Sequence, residues 1–407
     1  MSSSGPLFYN YIMSWCSYII LPPLLLYAIM QILYGLSHRI NFLGRYYAML
    51  YYALQERFGI TFVLRELKNP TDKNKTFADI VNHYDFFAYW LMCLDKPRVN
   101  AYEEAIKQYA QLRKKAVWLD IGTGAHMPLT RLLIKHGVAE HVHAVDANRK
   151  TYQSAKTLRE HLPNEEKSRI SLHYGYSKDV DWYRQEPRPN AIIHELIGRI
   201  ITDEGCIKVL HDTIANINDD VSIHIPYRSG TLCIPVSRPK PSIASSLCSL
   251  LMSTKVRIIK EIGIQSMFNP PKDAYLCETP QFVEDFILQD YCKKPLEKCR
   301  RSERKFIVEK NMAMWTGFYL APYILTSMDN SNGAVEVDGL KQRTNWPVYY
   351  VAMNDIRKAI NVKQGDEIHI VFESDLTDEC PTYRIEAWAN DDYLLRSSFA
   401  WKGKQFR

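Results

Sequence analysis

The sequence is poor in the features that mark disulfide-rich, metal-binding and nucleic-acid-binding proteins. Its nine cysteines include no Cys-x-x-Cys pair, and their odd number argues against a complete disulfide framework. The net charge of +6 is small for 407 residues, and the one basic cluster, 293–305, lacks the interleaved aromatic residues of a nucleic-acid surface. The composition therefore favours a reducing compartment and predicts that nucleic acid is not a partner.

Charged side chains are absent from the first 37 positions, and residues 7–36 are almost continuously apolar or aromatic. About 20 such residues span a bilayer as a helix, so we interpret 1–38 as a membrane anchor. A basic start and a cleavage site are both missing, which predicts that the segment is retained. Pro22-Pro23 leaves two forms open, a single kinked span or a re-entrant hairpin. A helix buried in a partner protein is the alternative to an anchor.

Basic residues follow this apolar segment but do not precede it. Arg39, Arg45 and Arg57 are the arginines that come next in the chain. Because positive charge marks the cytoplasmic side of a membrane segment, the remaining chain is predicted to be cytoplasmic.

The apolar run 117–121 ends at a Gly-x-Gly turn formed by Gly122 and Gly124. This pattern is typical of a buried parallel strand whose following turn lets a ligand approach the backbone closely. A second short strand, 142–145, precedes Asp146 at the position where doubly wound folds place an acid on a ribose. An ordinary glycine turn beside an unrelated surface aspartate is the simpler alternative.

A third apolar run, 191–194, leads directly into Glu195, and Glu204 follows nine residues later. Carboxyl ends of parallel strands meet at one edge of a sheet, so the glycine turn, Asp146 and Glu195 are predicted to lie together. Two glutamates at this edge suit recognition of a cation. The alternative is a solvated pair of loop glutamates.

These motifs resemble those of the protein arginine N-methyltransferases, and the sequence is interpreted as a divergent, membrane-anchored member. The family's first motif reads Val-Leu-Asp-x-Gly-x-Gly-x-Gly, and its signature loop reads Ser-Glu-x-x-Gly with a second Glu nine residues after the first. His194-Glu195-Leu196-Ile197-Gly198 with Glu204 matches that loop in register. The resemblance covers about 77–395.

The resemblance implies an α/β fold: a class I, Rossmann-like methyltransferase domain followed by a β-barrel-like domain. The predicted domains are an anchor (1–38), a linker (39–76), the S-adenosylmethionine-binding domain (77–226) and the barrel domain (227–407). A helical arm near 242–268 could join two copies of the chain into a homodimer.

The resemblance also assigns roles within the site. Glu195 and Glu204 are the expected catalytic residues. The residues expected to bind S-adenosylmethionine are Arg98, Asp120, Gly122, Gly124, Asp146, Ser177 and Lys178, and those expected in the substrate pocket are Arg199, Asn345 and Trp346. Arg98 would bind the cofactor carboxylate, with an exposed helix arginine paired to Asp95 as the alternative. No metal is required for this chemistry.

Four positions depart from the family pattern. His126 replaces the third glycine, Lys178 stands where an acid usually contacts adenine, and Asn345 replaces the histidine of a Thr-His-Trp loop. Arg199 adds a cation close to the two glutamates. Because an amide does not titrate near neutral pH, Asn345 predicts slow turnover, with a rate that depends less on pH between about 6 and 8 than at a histidine-bearing site.

The predicted activity is methyl transfer from S-adenosylmethionine to an accessible arginine of a protein at a membrane surface. Two alternatives stay open: an inactive membrane-anchored scaffold with the same fold, and a methyltransferase acting on a small molecule or lipid. The sequence does not fix the substrate, the number of methyl groups, the membrane or the oligomeric state.

Overall fold

The structure is a computed structural model, and it describes most residues between positions 63 and 402. The described ranges are 63–64, 78, 81, 92–111, 115–217, 221, 223–238, 263–267, 270–327, 335–353, 359–391 and 397–402. The predicted anchor and most of the predicted linker lie outside them. Among the described residues, no helix combines the length and the apolar character needed to cross a bilayer.

The helices and strands are named here in chain order. The strands are β1 (Val63–Leu64), β2 (Ala116–Ile121), β3 (Ala139–Asp146), β4 (Ile170–Tyr174), β5 (Ala191–His194), β6 (Ile223–Ile225), β7 (Arg228–Val236), β8 (Gly263–Met267), β9 (Gln281–Ile287), β10 (Arg300–Ile307), β11 (Met312–Trp315), β12 (Gly317–Leu325), β13 (Glu336–Asp338), β14 (Val348–Ala352), β15 (Ile360–Lys363), β16 (Glu367–Asp375), β17 (Thr382–Ala389) and β18 (Ser397–Lys402). The α-helices are α1 (Lys96–Gln111), α2 (Pro128–Lys135), α3 (Arg149–Glu160), α4 (Asn164–Ser168), α5 (Cys206–Ile214) and α6 (Leu288–Tyr291).

The first half of the described chain contains a five-stranded parallel sheet in the order β4-β3-β2-β5-β6. Every residue of β2 is buried, as expected for a central strand with both faces covered. Helices α2 and α3 connect neighbouring parallel strands, and Asn148 caps α3 by accepting from the backbone N–H groups of Lys150 and Thr151. The α/β fold predicted from the three apolar runs is therefore confirmed.

The second half is antiparallel. One sheet has the order β1-β8-β14-β12-β7-β9 with β13 beside β12, a second has the order β10-β16-β17-β18, and β11 pairs with β15. Residues of the two larger sheets share one apolar core, for example Phe318 and Leu320 with Ile370 and Phe372. The β-rich half predicted after Pro226 is present, and closure of these sheets into a barrel stays a prediction from the resemblance.

Two segments differ from the sequence predictions. Val63–Leu64, within the predicted linker, forms a strand that pairs with β8. Gly263–Met267, at the end of the predicted helical arm, forms that strand β8. The prediction of a helix is therefore wrong for this end of the arm. Pairing with β14 on its other side fixes β8 in the sheet. Residues 242–262 of the arm lie outside the described residues.

The two halves are joined through apolar packing and buried hydrogen bonds. Trp346 and Leu376 from the second half belong to the core of the parallel sheet. Thr202, two residues before Glu204, donates to the Oε1 atom of buried Glu284 on β9 at 2.9 Å. The segment between β5 and α5 is thus positioned by both halves.

Candidate active site

A cleft at the carboxyl edge of the parallel sheet brings the sequence motifs together. It runs from the turn after β2 to the loop after β5, and one residue of the second half also reaches it. Its lining includes Gly122, Asp146, Gly175, Ser177, Lys178, Glu195, Leu196, Glu204, Asp212 and Glu379. Six of the predicted site residues therefore share one cleft.

The glycine turn after β2 requires its glycines. Gly122 has φ +75° and Gly124 has φ +74°, a region that other residues rarely adopt. A Cβ atom on Gly122 would lie 3.1 Å from the Cδ2 atom of Leu196, which also lines the cleft. The close approach of Leu196 therefore requires glycine at position 122, and Gly122 itself lines the cleft.

Asp146 fixes that turn against the end of β3. Its carboxylate accepts from the backbone N–H of Gly124 at 3.0 Å and from that of Asn148 at 2.8 Å. Burial raises the pKa of Asp146 to about 6, although both hydrogen bonds act in the opposite direction. The carboxylate lines the cleft, in a position to accept a hydroxyl of a ligand.

Asp120 occupies a different place from the one predicted for a cofactor ligand. It is fully buried, and its Oδ2 atom accepts from the hydroxyls of Thr123 at 2.8 Å and Thr130 at 2.6 Å. Burial raises its pKa to about 6. Asp120 stabilises the turn through Thr123 and Thr130 and is not one of the residues that line the cleft.

The turn after β4 lines the far end of the cleft. Ser177 is buried, and its hydroxyl lies 2.6 Å from that of Thr213 on α5. Lys178 donates from Nζ to the Oε1 atom of Glu379 at 2.7 Å. Glu379 belongs to the connection between β16 and β17, so the second half supplies an acid at this end.

Glu195 follows β5 at the other end of the cleft, and Glu204 lies near it. The Oε1 atom of Glu195 accepts from Arg98 Nη1 at 3.2 Å and from Trp346 Nε1 at 3.2 Å. Burial raises the pKa of Glu195 to about 7; Arg98 and Trp346 act to lower it, while the nearby carboxylate of Glu204 acts to raise it. The two glutamates therefore interact electrostatically within one cleft.

Arg98 is buried and not exposed as the alternative had it, although the pairing with Asp95 that this alternative named is present. Its Nε atom lies 3.7 Å from Asp95 Oδ2, and its guanidinium stands 5.2 Å from the centre of the Trp346 ring. These contacts direct Arg98 toward Glu195. Binding of a cofactor carboxylate by Arg98 stays a prediction.

The loop 344–346 reaches the same place from the second half. Trp346 contacts Glu195, and the backbone N–H of Asn345 donates to Asp95 Oδ2 at 2.8 Å. The sequence resemblance placed this loop beside the two glutamates, and the structure brings Trp346 there.

The loop between Glu195 and Glu204 is braced from within and from β14. Asp203 accepts from the backbone N–H of Arg199 at 3.1 Å and from the Tyr349 hydroxyl at 3.0 Å. Arg199 Nη1 donates to the same hydroxyl at 3.2 Å. The structure thus places Arg199 against Tyr349 of β14, a contact that the sequence did not predict.

His126 lies between the glycine turn and α2. Burial lowers its pKa, and so does nearby Arg131. The imidazole is therefore predominantly neutral at pH 7 and adds no positive charge to the site.

Sequence reasoning missed the contacts of Tyr349 and Glu379 and the hydrogen bond between Asp95 and Asn345. In each case the two residues are remote in sequence, and no local motif marks the contact. Lys178 stands where the family usually has an acid, and the structure supplies a carboxylate there from a connection 201 residues later.

The parallel sheet and its glycine turn define the class of the fold, an α/β fold with a central parallel sheet. No family model and no curated protein matches the sequence. Solved structures of two arginine methyltransferases match the structure, and their low sequence identity means that they show the fold alone.

One of them is the Trypanosoma brucei PRMT1 enzyme–prozyme heterotetrameric complex with AdoHcy, at 13% identity and a TM-score of 0.58, covering 78% of this chain and 98% of that chain. The other is Arabidopsis thaliana protein arginine methyltransferase 10, at 15% identity and a TM-score of 0.60, covering 81% of this chain and 99% of that chain.

Proposed function

We propose that this protein transfers a methyl group from S-adenosylmethionine to the guanidinium group of an arginine in a protein substrate. The observation that carries the proposal is that Glu195 and Glu204 line the same cleft as Gly122 and Asp146. A cation-binding pair and a nucleoside-type site are therefore adjacent, as methyl transfer between two bound molecules needs.

The residues of the cleft fit the cofactor. Gly122 lines the cleft without a side chain, and Asp146 presents a carboxylate suited to ribose hydroxyls. Arg98 supplies a guanidinium near the Glu195 end, where its planar donors suit a carboxylate. When bound, the cofactor supplies a methyl group on a sulfonium.

Two like charges must come together in this reaction. A guanidinium and a sulfonium 4 Å apart repel by about 1 kcal/mol in water and by about 4 kcal/mol at an effective dielectric of 20. Glu195 and Glu204 place two carboxylates at this point, and Arg98 offsets one of them. The remaining negative charge favours a cationic acceptor over a neutral one.

The contacts of Glu195 show which oxygen is available to a substrate. Arg98 and Trp346 both donate to Oε1, and within the described residues no donor contacts Oε2. Oε2 can therefore accept from a guanidinium, at about 1.5–3 kcal/mol for a hydrogen bond to a charged group. Glu204 would hold a second nitrogen, leaving the third facing the cofactor.

The test is to incubate the full-length protein with tritiated S-adenosylmethionine and a membrane extract, followed by amino-acid analysis. We expect label in methylated arginine with the wild type and none with Glu204→Gln. The control is Glu186→Gln, which alters an exposed glutamate outside the cleft. Label in lipid or small molecules instead would identify the acceptor class as wrong. A folded protein that binds cofactor but labels nothing would support the scaffold.

The setting of the reaction rests on the sequence. We propose that residues 1–38 hold the catalytic part at the cytoplasmic side of a membrane, and that the chain forms a homodimer. The apolar segment and the arginines after it support the first statement. Resemblance to a family that dimerises through an arm supports the second.

A further inference from the structure

Glu379 reaches the cleft from the second half of the molecule. It lies in the connection between β16 and β17, and its carboxylate lines the cleft beside Gly175, Ser177 and Lys178. Within the described residues, Lys178 is the one side chain that donates to it, at Oε1. The carboxylate also accepts from its own backbone N–H, and its remaining lone pairs can accept from a ligand.

The backbone of this connection is held against the catalytic loop. A Cβ atom on Gly205, the residue after Glu204, would lie only 2.4 Å from the carbonyl oxygen of Glu379. Gly205 also has φ +77°, where glycine is favoured. This close contact positions Glu379 with little freedom to move away from the cleft.

Asp212 is the other acid at this end of the cleft, but its charge is already paired with the ammonium group of Lys208 at both oxygens. Lys208 donates to its Oδ1 atom at 2.6 Å and to its Oδ2 atom at 2.5 Å, and His211 lies 3.2 Å from Oδ1. Glu379 is therefore the better placed acceptor for a ligand.

The proposed function fixes which part of the cofactor lies here. The sulfonium must face Glu195 and Glu204, and the ribose would lie at Asp146 between the two ends. The base then occupies the remaining end, beside Lys178 and Glu379. The exocyclic amino group of adenine is a donor and needs an acceptor when it leaves water.

We propose that Glu379 accepts a hydrogen bond from the amino group of the cofactor's adenine, so that the second half of the molecule sets the base specificity of the first. Lys178 holds the carboxylate through Oε1, and lone pairs of the carboxylate remain for the base. This inference rests on the proposed function, because it assumes that the cleft binds an adenosyl cofactor.

The test compares two ligands that differ at that group. S-adenosylhomocysteine carries the amino donor, whereas S-inosylhomocysteine carries an oxo acceptor that would face the carboxylate unfavourably. By calorimetry on the full-length protein, we expect the wild type to prefer the adenosyl ligand by roughly tenfold or more. Glu379→Met should narrow that preference by about the same factor, because Lys178 can then donate to the oxo group.

Two further variants separate base recognition from a structural effect. Asp378→Asn changes the exposed neighbouring acid, can still accept from the Cys380 backbone, and should keep the full preference. Glu379→Gln keeps the size of the side chain, but its amide can donate to the oxo group as well as accept from the amino group, so it should also narrow the preference. If Glu379→Met fails to fold, an unchanged preference in Glu379→Gln would overturn the proposal.

The outcomes distinguish this proposal from the proposed function. An equal fall in the affinities for both ligands in Glu379→Met would show that the residue only closes the cleft. An unchanged preference for the adenosyl ligand would show that Glu379 does not contact the base. Either result overturns the role of Glu379 while the cofactor site stands. Failure of folded wild type to bind either ligand would overturn the proposed function and this inference together.

Discussion

Glu195 is subject to two opposing effects. Its side chain is only 19% exposed, which disfavours the charged carboxylate, while Arg98 and Trp346 donate to it and favour that charge. The result is a pKa of about 7, well above the ordinary value of 4.5. A guanidinium arriving at Oε2 would add a further positive charge and complete the ionisation.

Replacing either glutamate by glutamine should abolish methyl transfer. Glu195→Gln and Glu204→Gln keep the size of the side chain but remove the charge that holds the guanidinium. Cofactor affinity, measured by calorimetry, should change less than threefold, since the two glutamates contact the acceptor and not the cofactor. Full activity in both variants would contradict the arginine-methyltransferase proposal.

The pH profile follows from Glu195. Binding of the guanidinium needs the ionised carboxylate of Glu195. kcat/KM should therefore rise with pH through an acid limb near pH 7 and level off above it. Trp346→Phe removes a hydrogen bond that lowers this pKa, so its limb should lie at higher pH than that of the wild type. The same profile in both proteins would exclude Glu195 as the titrating group.

The residue scale also shows a limit of the sequence. Asn345 alone predicted a rate less dependent on pH than that of a histidine-bearing site, because the amide does not titrate. That prediction took no account of the burial of Glu195, which depends on Trp346 and Arg98 being packed against it. The sequence shows that Asn345 replaces a histidine, but it does not show that Glu195 is buried.

At the scale of the element, the loop from Glu195 to Glu204 depends on close packing of Asp203 and Ile200 against Gly198. A Cβ atom on Gly198 would lie 1.5 Å from Asp203 Oδ1 and 2.9 Å from the carbonyl oxygen of Ile200. Asp203 in turn holds the Arg199 backbone and Tyr349. The glycine in the Glu-x-x-Gly motif is therefore a requirement of packing inside the loop.

Gly198→Ala should displace this loop and with it the distance between the two glutamates. We expect kcat to fall about 100-fold, because small misplacement of reacting groups costs that much. Binding of S-adenosylhomocysteine should fall far less, since Gly122 and Asp146 lie on other elements. Wild-type turnover in Gly198→Ala would mean that the loop accommodates the methyl group without moving Glu195 and Glu204.

Elements with a local signature were predictable. The apolar runs and the residues after them located β2, β3 and β5, and the resemblance located Glu195, Glu204 and Trp346. The strand β8 and the contribution of Glu379 were not predictable in this way, because they depend on pairing between distant segments. Asp120 was misplaced since the sequence does not show on which side of the turn its side chain lies.

At the scale of the whole molecule, Glu284 joins the two halves. It is buried and accepts from Thr202 of the catalytic loop and from Thr231 of β7. Burial raises its pKa from 4.5 to about 7, although both hydrogen bonds act to lower it. The folded protein therefore keeps this proton at pH values where the unfolded chain releases it.

This shift predicts a pH-dependent effect of Glu284→Gln on stability. Because the folded pKa of Glu284 is raised, its ionisation lowers stability progressively between about pH 4.5 and 7, and the loss levels off above that. The unfolding temperature of the variant relative to the wild type should therefore rise from pH 5 to pH 8. A difference that is constant or falls over this range would show that Glu284 is charged in the folded state.

The core shared by the two halves has a further consequence for how the molecule opens. Trp346 and Leu376 belong to the core of the parallel sheet, although their neighbours in the chain form the antiparallel sheets. Neither sheet can lose its packing without exposing these side chains, which makes the two halves one cooperative unit. A ligand held in the cleft at 100 times its Kd adds about 2.7 kcal/mol to the stability of that unit. Amide hydrogens of β16 and β17 should accordingly exchange more slowly when the cleft of the other half is filled.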